Sequence, residues 1–91
     1  MADATESVQP SMLTRPVTLA EYETCHGAIN LSTLRPEIFA RVQQRRAEID
    51  ELLREGGELW EWSRGRDFAA IGGLAVVRAG SVIRAWQDWR S

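Results

Sequence analysis

Cys25 and His26 are adjacent, and they are the only cysteine and the only histidine of the chain. A thiolate activated by an imidazole is a common catalytic nucleophile. Neighbouring residues of a helix point in different directions, however, so these two side chains are poorly placed to hydrogen-bond to each other. We interpret Cys25 as a small buried thiol and His26 as a side chain suited to the negative end of a helix.

Other chemistry-bearing patterns are weaker still. Asp67 and Asp88 could approach each other across two strands, but aspartates at strand ends are typical of turns and caps. Gly72-Gly73 lies in an apolar run and lacks the spacing of a phosphate-binding loop. One cysteine and one histidine do not complete a structural zinc site, and the acids of 48–61 lack a calcium-loop pattern. We therefore expect a protein that is not an enzyme and has no metal or cofactor.

Arginine and tryptophan are the informative residue types. The chain has 11 arginines and no lysine, and its 4 tryptophans all lie in the last 32 residues. These two side chains are the ones most enriched at binding hot spots, and arginine offers a planar, permanently charged fork. A GC-rich genome also produces arginine in place of lysine, so the sequence leaves both explanations open.

Length and charge limit the class of protein. A chain of 91 residues with 44% hydrophobic residues has room for one small core and is not disordered throughout. Its formal net charge of −2 implies no general attraction to nucleic acid or anionic lipid. The sequence has no signal-peptide pattern and no apolar run long enough to span a membrane, so we expect a cytoplasmic protein.

The sequence predicts a flexible tail over 1–14 and a single α+β domain over 15–91. Thr18 and Glu21 have the spacing of a capping box, which predicts a short helix over 19–26. A second helix is expected over 36–55, because Pro36 suits the first helical position and glycines follow the last residue.

Three strands are predicted after the long helix, over 58–63, 67–78 and 81–89. Short connections favour adjacent antiparallel strands. The expected fold is therefore a short and a long helix packed on a three-stranded antiparallel meander.

Strand register follows from the turns if each hairpin has a three-residue loop. Gly80 would then form a bulge at the second loop, and Trp86 would lie opposite Gly72. This register predicts that Trp89 is buried under the long helix, whereas Trp86 shares the other face with Trp60 and Trp62. The first hairpin would also pair Trp60 with Phe68.

One long helix covers only one face of such a sheet, and a large bare apolar face is unusual in a monomer. Three arrangements would cover the second face: the short helix folding over it, two copies packing together, or a different partner. We therefore expect binding to another protein, to a second copy, or to both.

Arginines also lie in the first half of the long helix, where the helix dipole favours acids, whereas acids fill its second half. Arg45 falls on the apolar stripe between Val42 and Ile49, so its stem can pack while its charged head reaches outward. Seven side chains are our candidates for contacting a partner: Arg41, Arg45, Arg46, Trp60, Trp62, Arg84 and Trp86.

The run 73–89, GLAVVRAGSVIRAWQDW, resembles the late hairpin of the nuclear-transport-factor-2-like superfamily. This resemblance implies a ligand pocket between a sheet and its helices, but the complete fold needs a longer chain and no catalytic residue of the family can be placed. The expected function is a non-enzymatic protein-binding module, such as an adaptor, inhibitor or accessory subunit. The alternatives are a small-ligand-binding domain and a nucleic-acid-binding regulator.

Overall fold

The computed structural model describes residues 2–25, 35–65 and 69–90. They form an antiparallel sheet flanked by a short and a long helix, so the predicted α+β class is confirmed. The sheet has five strands in the order β1-β5-β4-β3-β2, two more than predicted. The strands are β1 (Ala2–Asp3), β2 (Leu13–Pro16), β3 (Glu58–Arg64), β4 (Ile71–Arg78) and β5 (Ser81–Arg90), and the helices are α1 (Leu19–Cys25) and α2 (Pro36–Arg54).

Both helices begin where the sequence predicts. The hydroxyl of Thr18 accepts a hydrogen bond from the backbone N–H of Glu21 at 3.1 Å, and it donates to the Glu21 carboxylate at 3.1 Å. Pro36 occupies the first turn of α2, which ends at Arg54, one residue before the predicted end. His26 lies outside the described residues.

The turn between β4 and β5 differs from the prediction. Arg78 pairs directly with Ser81, so the loop has two residues, Ala79 and Gly80, with φ angles of 53° and 79°. Positive φ at both positions is typical of a type I′ turn, whose twist matches that of the flanking strands. The expected three-residue loop is wrong, and the register shifts lie inside the ladder instead, one of them between Val76 and Val77.

The tryptophans therefore occupy other positions than the predicted ones. Trp86 lies opposite Leu74 and is 4% exposed, whereas Trp89 lies opposite Gly72 and is only half-buried. The expectation that Trp89 is the more buried of the two is wrong, because both helices cover the face that carries Leu74, Val76 and Trp86 and not the face that carries Ala75 and Ala85. Trp60 pairs with Ala75, not with Phe68, which lies outside the described residues.

The helix face of the sheet is the face on which both helices pack. Leu74 and Val76 of β4 form a buried cluster there with Tyr22 of α1, Ile49 of α2 and Trp86. Of the three arrangements considered for the opposite face, folding of the short helix over it is not observed, since α1 packs on the same face as α2.

The back face of the sheet is covered by the N-terminal segment. Ala4 and Val8 are buried against Trp62, Ala75 and Ala85. This segment pairs with β5 at one edge of the sheet, crosses the back face and pairs with β3 at the other edge. Residues 2–14, within the range predicted as a flexible tail, thus supply β1, the first half of β2 and part of the core. Their irregular path has no helix or strand periodicity by which the sequence could reveal it.

Candidate functional site

Four of the seven candidate side chains line one cleft between α2, β5 and the N-terminal segment. The cleft has a volume of about 210 Å³. Its candidate residues are Arg41, Arg45, Arg84 and Trp86, and Asp3, Gln44 and Glu48 complete its lining. We call this site the arginine cleft.

The helical wall of the arginine cleft is a single ridge of α2. Arg41, Gln44, Arg45 and Glu48 are spaced by three and four residues, which places them on one side of a helix. Gln44 and Glu48 were not among the predicted site residues, although their spacing from Arg41 is the signal that could have identified them.

The sheet wall is built around Arg84, which precedes Trp86 on the same side of β5. Its Nε donates to Glu48 at 2.7 Å, and its Nη1 lies 2.8 Å from the Asp3 carboxylate. The guanidinium carbon also lies 4.8 Å from the centre of the Trp86 ring, within cation–π range. Partial burial lowers the pKa of Arg84, but Glu48 and then Asp3 outweigh this effect and raise its pKa above the ordinary value.

Asp3 is exposed, and its carboxylate is oriented by the turn that follows it. The backbone N–H of Thr5 donates to its carboxylate at 2.9 Å, and this bond lowers the pKa of Asp3, with a smaller contribution from Arg84. Arg84 also donates to the Thr5 hydroxyl at 3.0 Å. The N-terminal segment thereby fixes the guanidinium of Arg84 from the side opposite α2.

Arg45 is 6% exposed and forms the floor of the cleft between α2 and β5. Its Nη1 contacts both Asp88 carboxylate oxygens, at 2.6 and 2.7 Å, and the Tyr22 hydroxyl donates to the same carboxylate at 2.7 Å. Burial, and then the bond to Asp88, raise the pKa of Tyr22 above its usual range. This network connects α1, α2 and β5, and it leaves Arg45 Nε buried without a partner within the described ranges.

Arg41 differs from the other two arginines of the cleft because its side chain is exposed. Within residues 2–25, 35–65 and 69–90, no carboxylate forms an ion pair with it. Arg41 is therefore the cation of the cleft that is open to an outside ligand.

The remaining three candidate residues lie elsewhere. Arg46 donates to Glu23 of α1 at 2.8 and 3.0 Å. Trp60 is half-buried on the back face, and its Nε1 lies 3.4 Å from Glu58. Trp62 is 2% exposed and lies in the back-face core.

The indole of Trp62 has a structural partner on each of two strands. Its Nε1 donates to the backbone carbonyls of Leu74 and Trp86, both at 3.0 Å. A Cβ on Gly73 would collide with that Trp86 carbonyl, so the glycine opposite Trp62 allows the strand to turn its oxygen inward.

Comparisons with protein-family profiles, with curated proteins and with solved structures found no match to this chain. Within the described ranges, no three side chains of the metal-binding types come together. Neither described helix is long and apolar enough to cross a membrane.

Proposed function

We propose that this protein is a non-enzymatic protein-binding module, an adaptor, inhibitor or accessory subunit, and that its contact site is the arginine cleft. The observation that carries the proposal is the convergence of Arg41, Arg45, Arg84 and Trp86 on one concave surface with Arg41 exposed. Arginine and tryptophan side chains that surround a small pocket are the usual composition of a binding hot spot.

Pre-organisation of the cleft supports the proposal. Glu48 and Asp3 hold Arg84, and Asp88 holds Arg45, so these two side chains have little entropy left to lose when a partner binds. Apolar contact area lies beside the cleft, because Ile38 is one turn before Arg41 on α2 and is 40% exposed.

Affinity purification from the source organism with three baits tests the proposal. The baits are the wild-type protein, Arg41→Glu and, as a matched control, Arg54→Glu. Arg54 is an exposed arginine of the same helix outside the cleft. We expect a stoichiometric protein that copurifies with the wild type and with Arg54→Glu but is lost with Arg41→Glu. Identical copurifying proteins for all three baits would contradict the proposal.

The partner bound by the arginine cleft can also be a second copy of this chain. Gel filtration and native mass spectrometry of the purified protein measure self-association directly. If a dimer uses the cleft, we expect Arg41→Glu to shift it toward monomer and Arg54→Glu to leave it unchanged. The back face gives no separate reason for dimerisation, since the N-terminal segment packs on it.

A small-ligand-binding function is the second candidate, and a different cleft favours it. This cleft, of about 330 Å³, is at the lower end of the size of small-molecule sites. Trp62 and Trp89 line it together with Thr14, Arg15, Glu61, Ser63 and Gly73. A ligand screen read by tryptophan fluorescence tests this candidate, and Trp89→Leu should abolish any saturable response.

A further inference from the structure

We infer that the second cleft binds a flat, uncharged aromatic ring whose edge carries hydrogen-bonding groups, such as an aromatic amide or a neutral nitrogen heterocycle. We call this site the tryptophan cleft, and its lining is Thr14, Arg15, Glu61, Trp62, Ser63, Gly73 and Trp89. The inference rests on the second candidate function and does not depend on the arginine cleft. Its basis is the position of the Trp89 ring, the low floor of the cleft and the pairing of its charges.

The first wall of the tryptophan cleft is the half-buried ring of Trp89 on β5. Trp89 pairs with Gly72 of β4, and a Cβ on Gly72 would collide with the indole. The glycine therefore lets the indole lie against the backbone of β4. An aromatic ring that is held in this way before a ligand arrives loses little side-chain entropy when the ligand stacks on it.

The floor of the cleft has small residues. Gly73 of β4 has no side chain, and Ser63 of β3 has only a short one. Ser63 pairs with Gly72, so its side chain lies on the same side of the sheet as the Trp89 ring. The two walls stand on β5 and β2, which are three strand spacings, or roughly 14 Å, apart. A low floor between such walls leaves a slot for a flat ligand.

The second wall is an ion pair between Arg15 of β2 and Glu61 of β3. Arg15 Nε lies 2.7 Å from the Glu61 carboxylate, and the two side chains are 48% and 16% exposed. Glu61 and Ser63 alternate along β3, so they lie on one side of the sheet. The carboxylate holds the guanidinium of Arg15, whose planar face can stack on an aromatic ring. A ring in the slot then contacts Trp89 on one side and Arg15 on the other.

Charge balance favours an uncharged ligand. Arg15 and Glu61 are the two ionic side chains of the lining, and they neutralise each other. A charged ligand would lose hydration without gaining a counter-charge, and desolvation of such a charge is costly. The hydroxyls of Ser63 and Thr14 match the polar edge of an amide or a heterocycle, because a hydroxyl has both a donor and lone pairs. The Thr14 hydroxyl donates to the Glu61 carbonyl at 3.1 Å and still has a lone pair to offer.

NMR titration of the ¹⁵N-labelled protein tests this inference, because each of the four tryptophans gives its own indole N–H signal. The probe is benzamide, and cyclohexanecarboxamide is its matched control, with the same amide on a ring that is not flat. We expect benzamide to move the Trp89 signal with a dissociation constant on the order of 1 mM. The Trp60 signal, outside the cleft, should stay in place. The control should bind about fivefold more weakly, since it cannot stack.

Benzoate and benzamidine test the charge balance of the tryptophan cleft. They carry the same aromatic ring with one negative or one positive charge at neutral pH. Because Arg15 and Glu61 are paired, we expect both compounds to bind more weakly than benzamide. Tighter binding of either one would show that the cleft selects a charge, and would overturn the inference.

Matched substitutions of two half-buried tryptophans identify the stacking wall. Trp89→Leu should weaken benzamide binding roughly tenfold or more, which is the scale of one lost stacking partner. Trp60→Leu, on the back face and outside the cleft, should change the affinity by less than about twofold. Equal weakening by both variants would overturn the inference.

Arg15→Gln tests the second wall with little risk to the fold, because the side chain is 48% exposed. We expect benzamide binding to weaken about threefold, which is the scale of a cation–π contact at an exposed site. An unchanged affinity would contradict the placement of the ring between Trp89 and Arg15.

Other outcomes also decide against it. Equal binding of cyclohexanecarboxamide would exclude recognition of a flat ring, and a Trp89 signal that stays in place would exclude stacking at that wall. If the fluorescence screen finds a charged or non-aromatic ligand whose response is lost with Trp89→Leu, the second candidate function stands and the aromatic-ring inference fails. If no compound gives a saturable response, both fail, and the protein-binding proposal is unaffected.

Discussion

The two faces of the sheet are covered in different ways. The helix face carries α1 and α2, and ionic side chains lie close to its core, among them the Arg45–Asp88 pair and Arg84 with Glu48. The back face carries the irregular N-terminal segment over small residues such as Ala75 and Ala85.

This difference bears on the proposed binding site. Charged groups near a core are costly to bury unless they are paired, so the paired charges of the helix face are weak evidence for stability. On the back face, the buried indole of Trp62 donates to acceptors within the protein. The contrast supports the proposal that the protein-binding site is the arginine cleft on the helix face, whereas the tryptophan cleft reaches Trp62 of the back face.

Removal of the Trp62 side chain is the largest perturbation expected. Because Trp62 is 2% exposed and is the largest side chain of the back-face core, Trp62→Ala should lower the free energy of unfolding by about 3–5 kcal/mol. Urea unfolding followed by circular dichroism measures this change.

Trp60 provides the matched control on the same strand and face. It is only half-buried, so Trp60→Ala should cost clearly less than Trp62→Ala. Equal losses of unfolding free energy for the two variants would show that Trp62 is no more buried than Trp60. The NMR signals of the arginine side chains in the arginine cleft should be unchanged in Trp60→Ala, because Trp60 lies on the other face of the sheet.

The Arg45–Asp88 pair should show the next largest effect, on the helix face. Arg45→Met leaves the Asp88 carboxylate without its cation and should cost about 3–5 kcal/mol, at the lower end because Tyr22 still donates to it. The double variant Arg45→Met with Asp88→Leu should recover much of this loss, because it removes both charges. Urea unfolding of the wild type, Arg45→Met, Asp88→Leu and the double variant gives the coupling energy of the pair.

Arg46 is the control for that pair. It contacts Glu23 with 29% of its side chain exposed, and pairs of this kind contribute about 0–1 kcal/mol. If Arg46→Met destabilised the protein as much as Arg45→Met, the distinction between a buried network and a surface pair would be lost.

Most of the regular structure could be predicted from the sequence. The capping pair Thr18 and Glu21 located α1, Pro36 located the start of α2, and the three main strands followed from apolar runs bounded by turns. These signals are local, within about four residues of the element that they define.

The missing parts depend on contacts between distant residues. Ala4 and Val8 are core residues only because they meet Ala85 and Trp62, some eighty and fifty residues away. Which of the two apolar faces the helices cover is likewise decided by contacts between distant residues, and they cover the face that carries Leu74, Val76 and Trp86. For the site, composition selected Arg41, Arg45 and Arg84, but the pairing of Arg45 with Asp88 and of Arg84 with Glu48 and Asp3 could not be predicted from the sequence.

The Tyr22 hydroxyl should give the helix face a distinctive dependence on pH. Its pKa is raised by burial and by Asp88, whereas in the unfolded chain it is near ~10. Above pH ~10 the unfolded state loses this proton and the folded state keeps it, so the free energy of unfolding should fall by about 1.4 kcal/mol per pH unit.

The chain has one tyrosine and no lysine, so few other groups titrate in this range. Urea unfolding at several pH values, followed by tryptophan fluorescence, should show this decline for the wild type. Tyr22→Phe should show a flatter dependence above pH ~10 and a loss of about 1.5–3 kcal/mol near neutrality, where its hydrogen bond to a charged acceptor is missing. Identical slopes for both proteins would contradict the raised pKa.

The smallest effect is expected at the β4–β5 turn, where the pairing of these two strands begins. Ala79 has a φ of 53°, a left-handed conformation that is unfavourable for alanine, and Gly80 follows it with a φ of 79°. Asparagine followed by glycine is the preferred pair for a type I′ turn. Ala79→Asn should therefore raise the free energy of unfolding by about 0.5–1 kcal/mol without changing the fold.

This substitution also discriminates between the two registers. In the alternative three-residue loop only Gly80 would be left-handed, so asparagine at position 79 would bring little gain. A stabilised protein with unchanged Trp86 burial supports the observed register, in which Leu74 and Val76 lie under α2. Destabilisation, or greater exposure of Trp86 to a fluorescence quencher, would contradict the two-residue turn and the register that follows from it.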